Sequence, residues 1–190
     1  MHAYDRVVRE SRQQFEEHPD YWPLLEGKRQ PVSNTKPCLA KQAVRDLFVQ
    51  SALRKCASDP TLDSVSMDPS DGGGWCQCEQ CAKLGSVSDQ AITHANEVAL
   101  AINRQHPGKL VGLYAYNYHS PPPIATVDPQ VVVSVATSFI KEGPKVEDLL
   151  AEWSKQNASL GIREHYAVNT WDRDLPAISP RGRAAATSRT

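Results

Sequence analysis

The sequence predicts an α/β fold of parallel strands with outer helices, built as a partial (β/α) barrel of the TIM type. Strand-like apolar stretches alternate with helical stretches of about 12 to 18 residues, the pattern of βαβ units. The length of 190 residues suits one domain but falls short of the roughly 250 typical of a closed eight-stranded barrel. Polar and aromatic residues gather where the strands end, the place where α/β barrels and open sheets carry their sites.

The elements follow in order. Residues 4–16 are charged and lack breakers, with a weak helical face of Val7, Val8 and Phe15. His18 to Arg29 mixes aromatics with turn residues, giving a short helical turn and an irregular connection to Pro37. Leu39 to Ala57 is a helix, with Ala40, Ala43, Val44, Leu47, Phe48 and Ala52 at helical spacing. Asp59-Pro60 ends it, because the residue before proline avoids the α region. A strand over 62–67 places Val65 and Met67 on one face, and Asp68 to Gly74 then breaks all regularity. Ser88 is the expected N-cap of a helix to Gln105, whose buried stripe is Ile92, Ala95, Ala99 and Ile102. Strands are expected over 110–116, 131–135 and 160–168, with a helix over 146–157. The apolar run at 131–135 suits a strand buried on both faces.

Lys plus Arg number 21 and Asp plus Glu 22. This balance gives no electrostatic reason to expect nucleic acid or an anionic membrane as partner. No apolar run approaches the roughly 18 residues of a bilayer span, and the first residues carry no apolar core of a signal peptide. Residues 177–190, rich in Ala, Ser, Thr and Arg, are expected to be a disordered tail after a domain over 1–176.

Five cysteines are too many by one for complete internal pairing. Cys38 and Cys56 read as small buried hydrophobes. Cys76, Cys78 and Cys81 are spaced closely enough to share one tetrahedral zinc. That ion needs a fourth ligand, from His119 or from a part outside the chain; a disulfide between two of the three is the rival. No cofactor is required, and the cysteine cluster is a candidate site for structural zinc. His18, His94 and His106 read as structural or solvated.

Asp71 follows a strand and precedes Gly72-Gly73-Gly74, where the backbone can approach a ligand closely. Its carboxylate is a candidate general acid, base or nucleophile; a turn or cap role is the alternative. Glu164 and Asp172, at the last strand end, are the candidate partners, since glycoside hydrolysis usually needs two carboxylates. Trp75, Tyr116, His119, Tyr166 and Trp171 are candidate sugar-binding residues, because aromatic faces with polar neighbours suit sugars.

His18-Pro19-Asp20-Tyr21, Gly27-Lys28-Arg29, the run Ser64 to Cys81, Ala95 to Ala99, and Tyr114-Ala115-Tyr116 before Pro121-Pro122 resemble a bacterial domain family of unknown function. That family is grouped with TIM-barrel glycoside hydrolases and is remotely similar to alpha-glucuronidases. The stretch Asp71-Gly72-Gly73-Gly74-Trp75-Cys76-Gln77-Cys78-Glu79-Gln80-Cys81 is its most specific part. The resemblance implies a TIM barrel acting on polysaccharide or its fragments, often in an exported parent, and a chain that starts inside the barrel. It supplies no catalytic residues. The expected function is therefore a glycoside-hydrolase-like barrel fragment that acts on or binds poly- or oligosaccharide. The alternatives are a non-catalytic carbohydrate-binding barrel and a zinc-clamped scaffold domain. An open barrel would leave apolar strand edges exposed and favour self-association.

Overall fold

The computed structural model of the chain describes residues 2–140, 145–156 and 159–164. Its centre is a four-stranded parallel sheet of β3 (Ser64–Ser66), β4 (Leu110–Ala115), β5 (Val131–Ala136) and β6 (Ser159–Arg163), in that spatial order. Val65 pairs with Val111, Leu113 with Val133, and Val135 with Ile162. Strands that neighbour in sequence therefore neighbour in space. The helix-separated pattern predicted this arrangement; the described residues form an open sheet and do not close a barrel.

Strand alternation sorts the side chains. Val65, Met67, Val111, Leu113, Ala115, Val131, Val133 and Val135 are buried in the main core. That core also takes Val44, Phe48 and Ala52 of α3 (Gln42–Ser58) and Ile92, Ala95, Val98 and Ile102 of α5 (Val87–Gln105). Leu149 and Trp153 of α6 (Val146–Trp153) join it. Each Val, Leu, Ile, Met or Phe among them contributes roughly 1.5–3 kcal/mol when fully buried. The alternate positions Gly112, Tyr114, Val132 and Ser134 are only partly buried. β5 is thus buried on one face, not on both as its apolar run suggested: Val132 sits on the half-open side.

Several boundaries differ from expectation for physical reasons. The helix expected from Leu39 begins at Gln42, because Cys38 to Lys41 forms a turn in which the Lys41 amide donates to the Cys38 carbonyl (3.0 Å). Ser86, not Ser88, caps α5: its hydroxyl accepts from the Asp89 amide while the Asp89 carboxylate accepts from the Ser86 amide. This is a capping box, and Ser88 is a buried residue inside the helix. The first helical segment splits into α1 (Ala3–Glu10) and α2 (Arg12–Glu17), with Val7 and Phe15 buried. The expected irregular connection contains an antiparallel hairpin, β1 (Leu24–Leu25) with β2 (Lys28–Arg29). Glu26 (φ 48°) and Gly27 (φ 78°) turn it, the pair of positive φ values that a tight two-residue hairpin requires. Residues 165–168 of the last expected strand, and the expected tail, lie outside the described residues.

Candidate functional site at the carboxyl end of the sheet

Parallel pairing puts the carboxyl ends of β3 and β4 side by side, and two loops leave from there. The first, after β3, carries Asp68, Asp71 and Trp75; the second, after β4, carries Tyr116, Asn117, Tyr118 and His119. Asp68 is committed to structure: one oxygen accepts from the Ser66 hydroxyl (2.5 Å) and the other from the Tyr114 amide (2.8 Å). Burial nevertheless raises its pKa above the ordinary carboxylate value. Beyond it, Gly72 (φ 70°) and Gly74 (φ 82°) are left-handed, a conformation that side chains resist. Lys36, fully buried, extends its ammonium into this loop and donates to the carbonyls of Asp71 (2.5 Å), Gly73 (2.6 Å) and Asn34 (3.2 Å). Burial lowers the Lys36 pKa to about 8. The Asp71 carboxylate is left half-exposed and lies 3.2 Å from His2 Nε2.

The second loop packs onto the first. A Cβ at Gly73 would stand 3.4 Å from the Tyr118 ring. The rings of Trp75 and His119 are 5.7 Å apart, and those of Tyr116 and His119 are 6.4 Å apart, both edge to face. Asn117 takes a left-handed backbone (φ 53°), and its side-chain oxygen accepts from the Tyr118 amide (3.0 Å). Burial, helped by the charges of Lys36 and His2, lowers the His119 pKa to about 3, so its imidazole is neutral at neutral pH. Among the described residues, Trp75 Nε1 and His119 Nδ1 are buried without a hydrogen-bond partner.

On the chain side of Trp75 opposite the glycines, four cysteines converge. The Sγ atoms of Cys38, Cys76, Cys78 and Cys81 all lie within 4.8 Å of one another. Cys38 is 3.6 Å from Cys78 and 3.7 Å from Cys81, and all are free thiols. Among the described residues the fourth member of the cluster is Cys38, and His119 is not part of it. Reading Cys38 as a plain buried hydrophobe is corrected here: it is buried, but among sulfurs and not in the main core. Cys56 does lie in the main core. Thiol–thiol hydrogen bonds separate the group electrostatically. Those from Cys38 and Cys81 pull Cys76 down, while contact with Cys76 pushes Cys38 up to about 11.

The sequence profile of a family described as a domain of unknown function, DUF4838, matches residues 1–170. The chain belongs to the DUF4838 family. No curated protein matches it. Similar solved structures include two α-galactosidases of family GH36 from Geobacillus stearothermophilus. AgaA has 11% identity and a TM-score of 0.37, and AgaB has 10% identity and a TM-score of 0.38. In both cases 93% of this chain and 28% of the enzyme are covered. The α-galactosidase of Lactobacillus brevis has 12% identity and a TM-score of 0.40, over 93% of this chain and 27% of the enzyme. The chain thus spans little more than a quarter of the length of these proteins. No helix among the described residues is long and apolar enough to cross a membrane.

In this DUF4838 chain, Asp71, Trp75, Tyr116 and His119 stand on the two facing loops. Glu164 lies at the far side of the sheet, after β6, where it accepts from the Thr137 hydroxyl (3.1 Å). Tyr166, Trp171 and Asp172 lie outside the described residues. Three residues at the site went unmarked in the sequence. His2 and Lys36 reach Asp71 from distant positions, and no local pattern marks either. Cys38 was legible in one respect only: three clustered thiols call for a fourth ligand, and it is one of the two cysteines left over.

Proposed function

We propose that the carboxyl end of this sheet binds poly- or oligosaccharide, and that in the full-length parent it belongs to a glycoside-hydrolase-like domain with Asp71 as a working carboxylate. The observation that carries this reading is two buried polar atoms without a partner among the described residues, Trp75 Nε1 and His119 Nδ1, with the Tyr116 ring against His119. A buried polar group without a partner is costly. An indole N–H and a ring nitrogen suit the hydroxyls of a sugar, and the flanking aromatic rings suit its C–H faces. The cysteine cluster serves the same end by anchoring the Asp71 loop, with zinc as the anchoring ion. Anchoring has kinetic weight, since about 1 Å of misplacement can cost on the order of 100-fold in rate.

A second reading, carbohydrate binding without hydrolysis, is favoured by the way Asp68, Asp5 and the more distant Glu164 are used. Asp68 is held by Ser66 and Tyr114, Asp5 accepts from the Ser70 hydroxyl (2.5 Å), and Glu164 accepts from Thr137. The test is a panel of oligosaccharides assayed for binding and for reducing-end release with the full-length protein. Asp71→Asn is expected to cut turnover by about 100-fold or more with near-normal thermal stability. Unchanged turnover would remove Asp71 from the mechanism. Binding without release, in wild type and variant alike, would select the second reading.

A further inference from the structure

We infer that Cys38, Cys76, Cys78 and Cys81 form a complete, closed tetrathiolate zinc site, with Arg29 as its charge-compensating residue, that ties the segment 20–41 to the loop carrying Asp71. The inference deepens the proposed zinc anchor and does not depend on the sugar.

The distances fit a metal and not a covalent pair. A tetrahedron with Zn–S bonds near 2.3 Å has S···S edges of about 3.8 Å, and Cys38 Sγ lies 3.6 Å from Cys78 Sγ and 3.7 Å from Cys81 Sγ. Four protein ligands fill a tetrahedral ion and leave no position for water or substrate, which makes the site structural. The donors are already arranged around the sulfurs. The Leu24 amide donates to Cys76 Sγ (3.3 Å) and the Cys81 amide to Cys78 Sγ (3.4 Å).

Charge supplies the second argument. Four thiolates around a dication leave an excess of two negative charges. Arg29 lines the same surface hollow as Cys38 and Cys78. Its guanidinium is fixed by the carbonyls of Asp20 (3.0 Å) and Trp22 (2.6 Å). Lys41, the other cation of that hollow, is engaged by Asp20 at 2.5 Å. Arg29 therefore presents a positive charge to the sulfurs from the β1–β2 hairpin. The hairpin is itself stitched to the cysteine loop, the Gln77 amide donating to the Leu24 carbonyl (2.8 Å) and the Glu26 amide to Gln77 Oε1 (3.0 Å). One ion would thus join the hairpin, Cys38 and residues 76–81, immediately beyond the Asp71 loop.

The experiment is metal analysis of the full chain produced in zinc-supplemented medium, with affinity read by competition against a chelating dye and geometry by cobalt substitution. Wild type is expected to carry one zinc per chain, and its cobalt form to show the strong visible bands of a tetrahedral thiolate site. Cys38→Ser should lose most of the affinity, whereas Cys56→Ser and His119→Ala should keep it. Arg29→Ala should keep the stoichiometry and weaken zinc by about 10- to 100-fold, the usual cost of losing a partner of the ligands. A metal-free wild type, iron in place of zinc, or unchanged affinity in Cys38→Ser or Arg29→Ala would overturn the inference. Should Cys38→Ser fail to fold, Arg29→Ala and His119→Ala retain all four sulfurs and still decide it. None of these readouts involves sugar, so a failed sugar assay leaves the metal site standing, and a metal-free protein leaves the sugar reading to its own test.

Discussion

His94 and His119 sit in the fold as neutral rings, and that has a consequence in acid. His94 lies against Tyr4 and Phe48, with ring centroids 5.9 and 4.8 Å away, and burial lowers its pKa to about 3. His119 is lowered to about 3 in the same way. On unfolding each regains a value near 6.5. Between about 3 and 6.5 the unfolded chain therefore binds more protons than the folded one, and stability falls as pH falls through that window. Thermal melts from pH 7 down to 4 are expected to show a steady loss of stability with up to two protons taken up per molecule on unfolding. His94→Gln should flatten that dependence. A melting temperature independent of pH over this range would show that the two rings are not buried as described.

At the scale of the element, the loop after β3 is held by opposed constraints: left-handed glycines within it, Lys36 beneath it and the cysteines beyond it. Gly74→Ala places a Cβ on a backbone with φ 82° while meeting nothing within 4 Å, so its cost is conformational and should be about 1–2 kcal/mol. Denaturant unfolding checks this. A neutral Gly74→Ala would mean that the loop does not need its left-handed turn. How well elements were legible follows the same division between local and distant forces. α5 was legible because Ile92, Ala95, Ala99 and Ile102 recur at helical spacing; its start was misassigned because Ser86 and Ser88 both precede the run and only the reciprocal bond to Asp89 distinguishes them. The β1–β2 hairpin escaped notice because two-residue strands have no period to read. Cys76, Cys78 and Cys81 announced themselves by proximity in sequence, whereas Cys38 joins them across 40 residues through a turn that the helical pattern of Leu39 and Ala40 concealed.

At the scale of the whole molecule, the sheet of the described residues ends at β6, where Leu160 and Ile162 are exposed. An exposed parallel strand invites pairing with another chain. The isolated chain is therefore expected to self-associate with rising concentration in light scattering, and Ile162→Lys to reduce this; a strictly monomeric wild type would contradict it. The other property of the whole is how segments far apart in its first half are joined. Packing links the sheet and helices, while the hairpin, Cys38 and the Asp71 loop meet around sulfur. The most direct test of that claim is X-ray absorption at the zinc edge on the purified full chain. The account predicts a single shell of four sulfurs near 2.3 Å. A shell of three sulfurs with one nitrogen or oxygen, or no bound zinc, would contradict it.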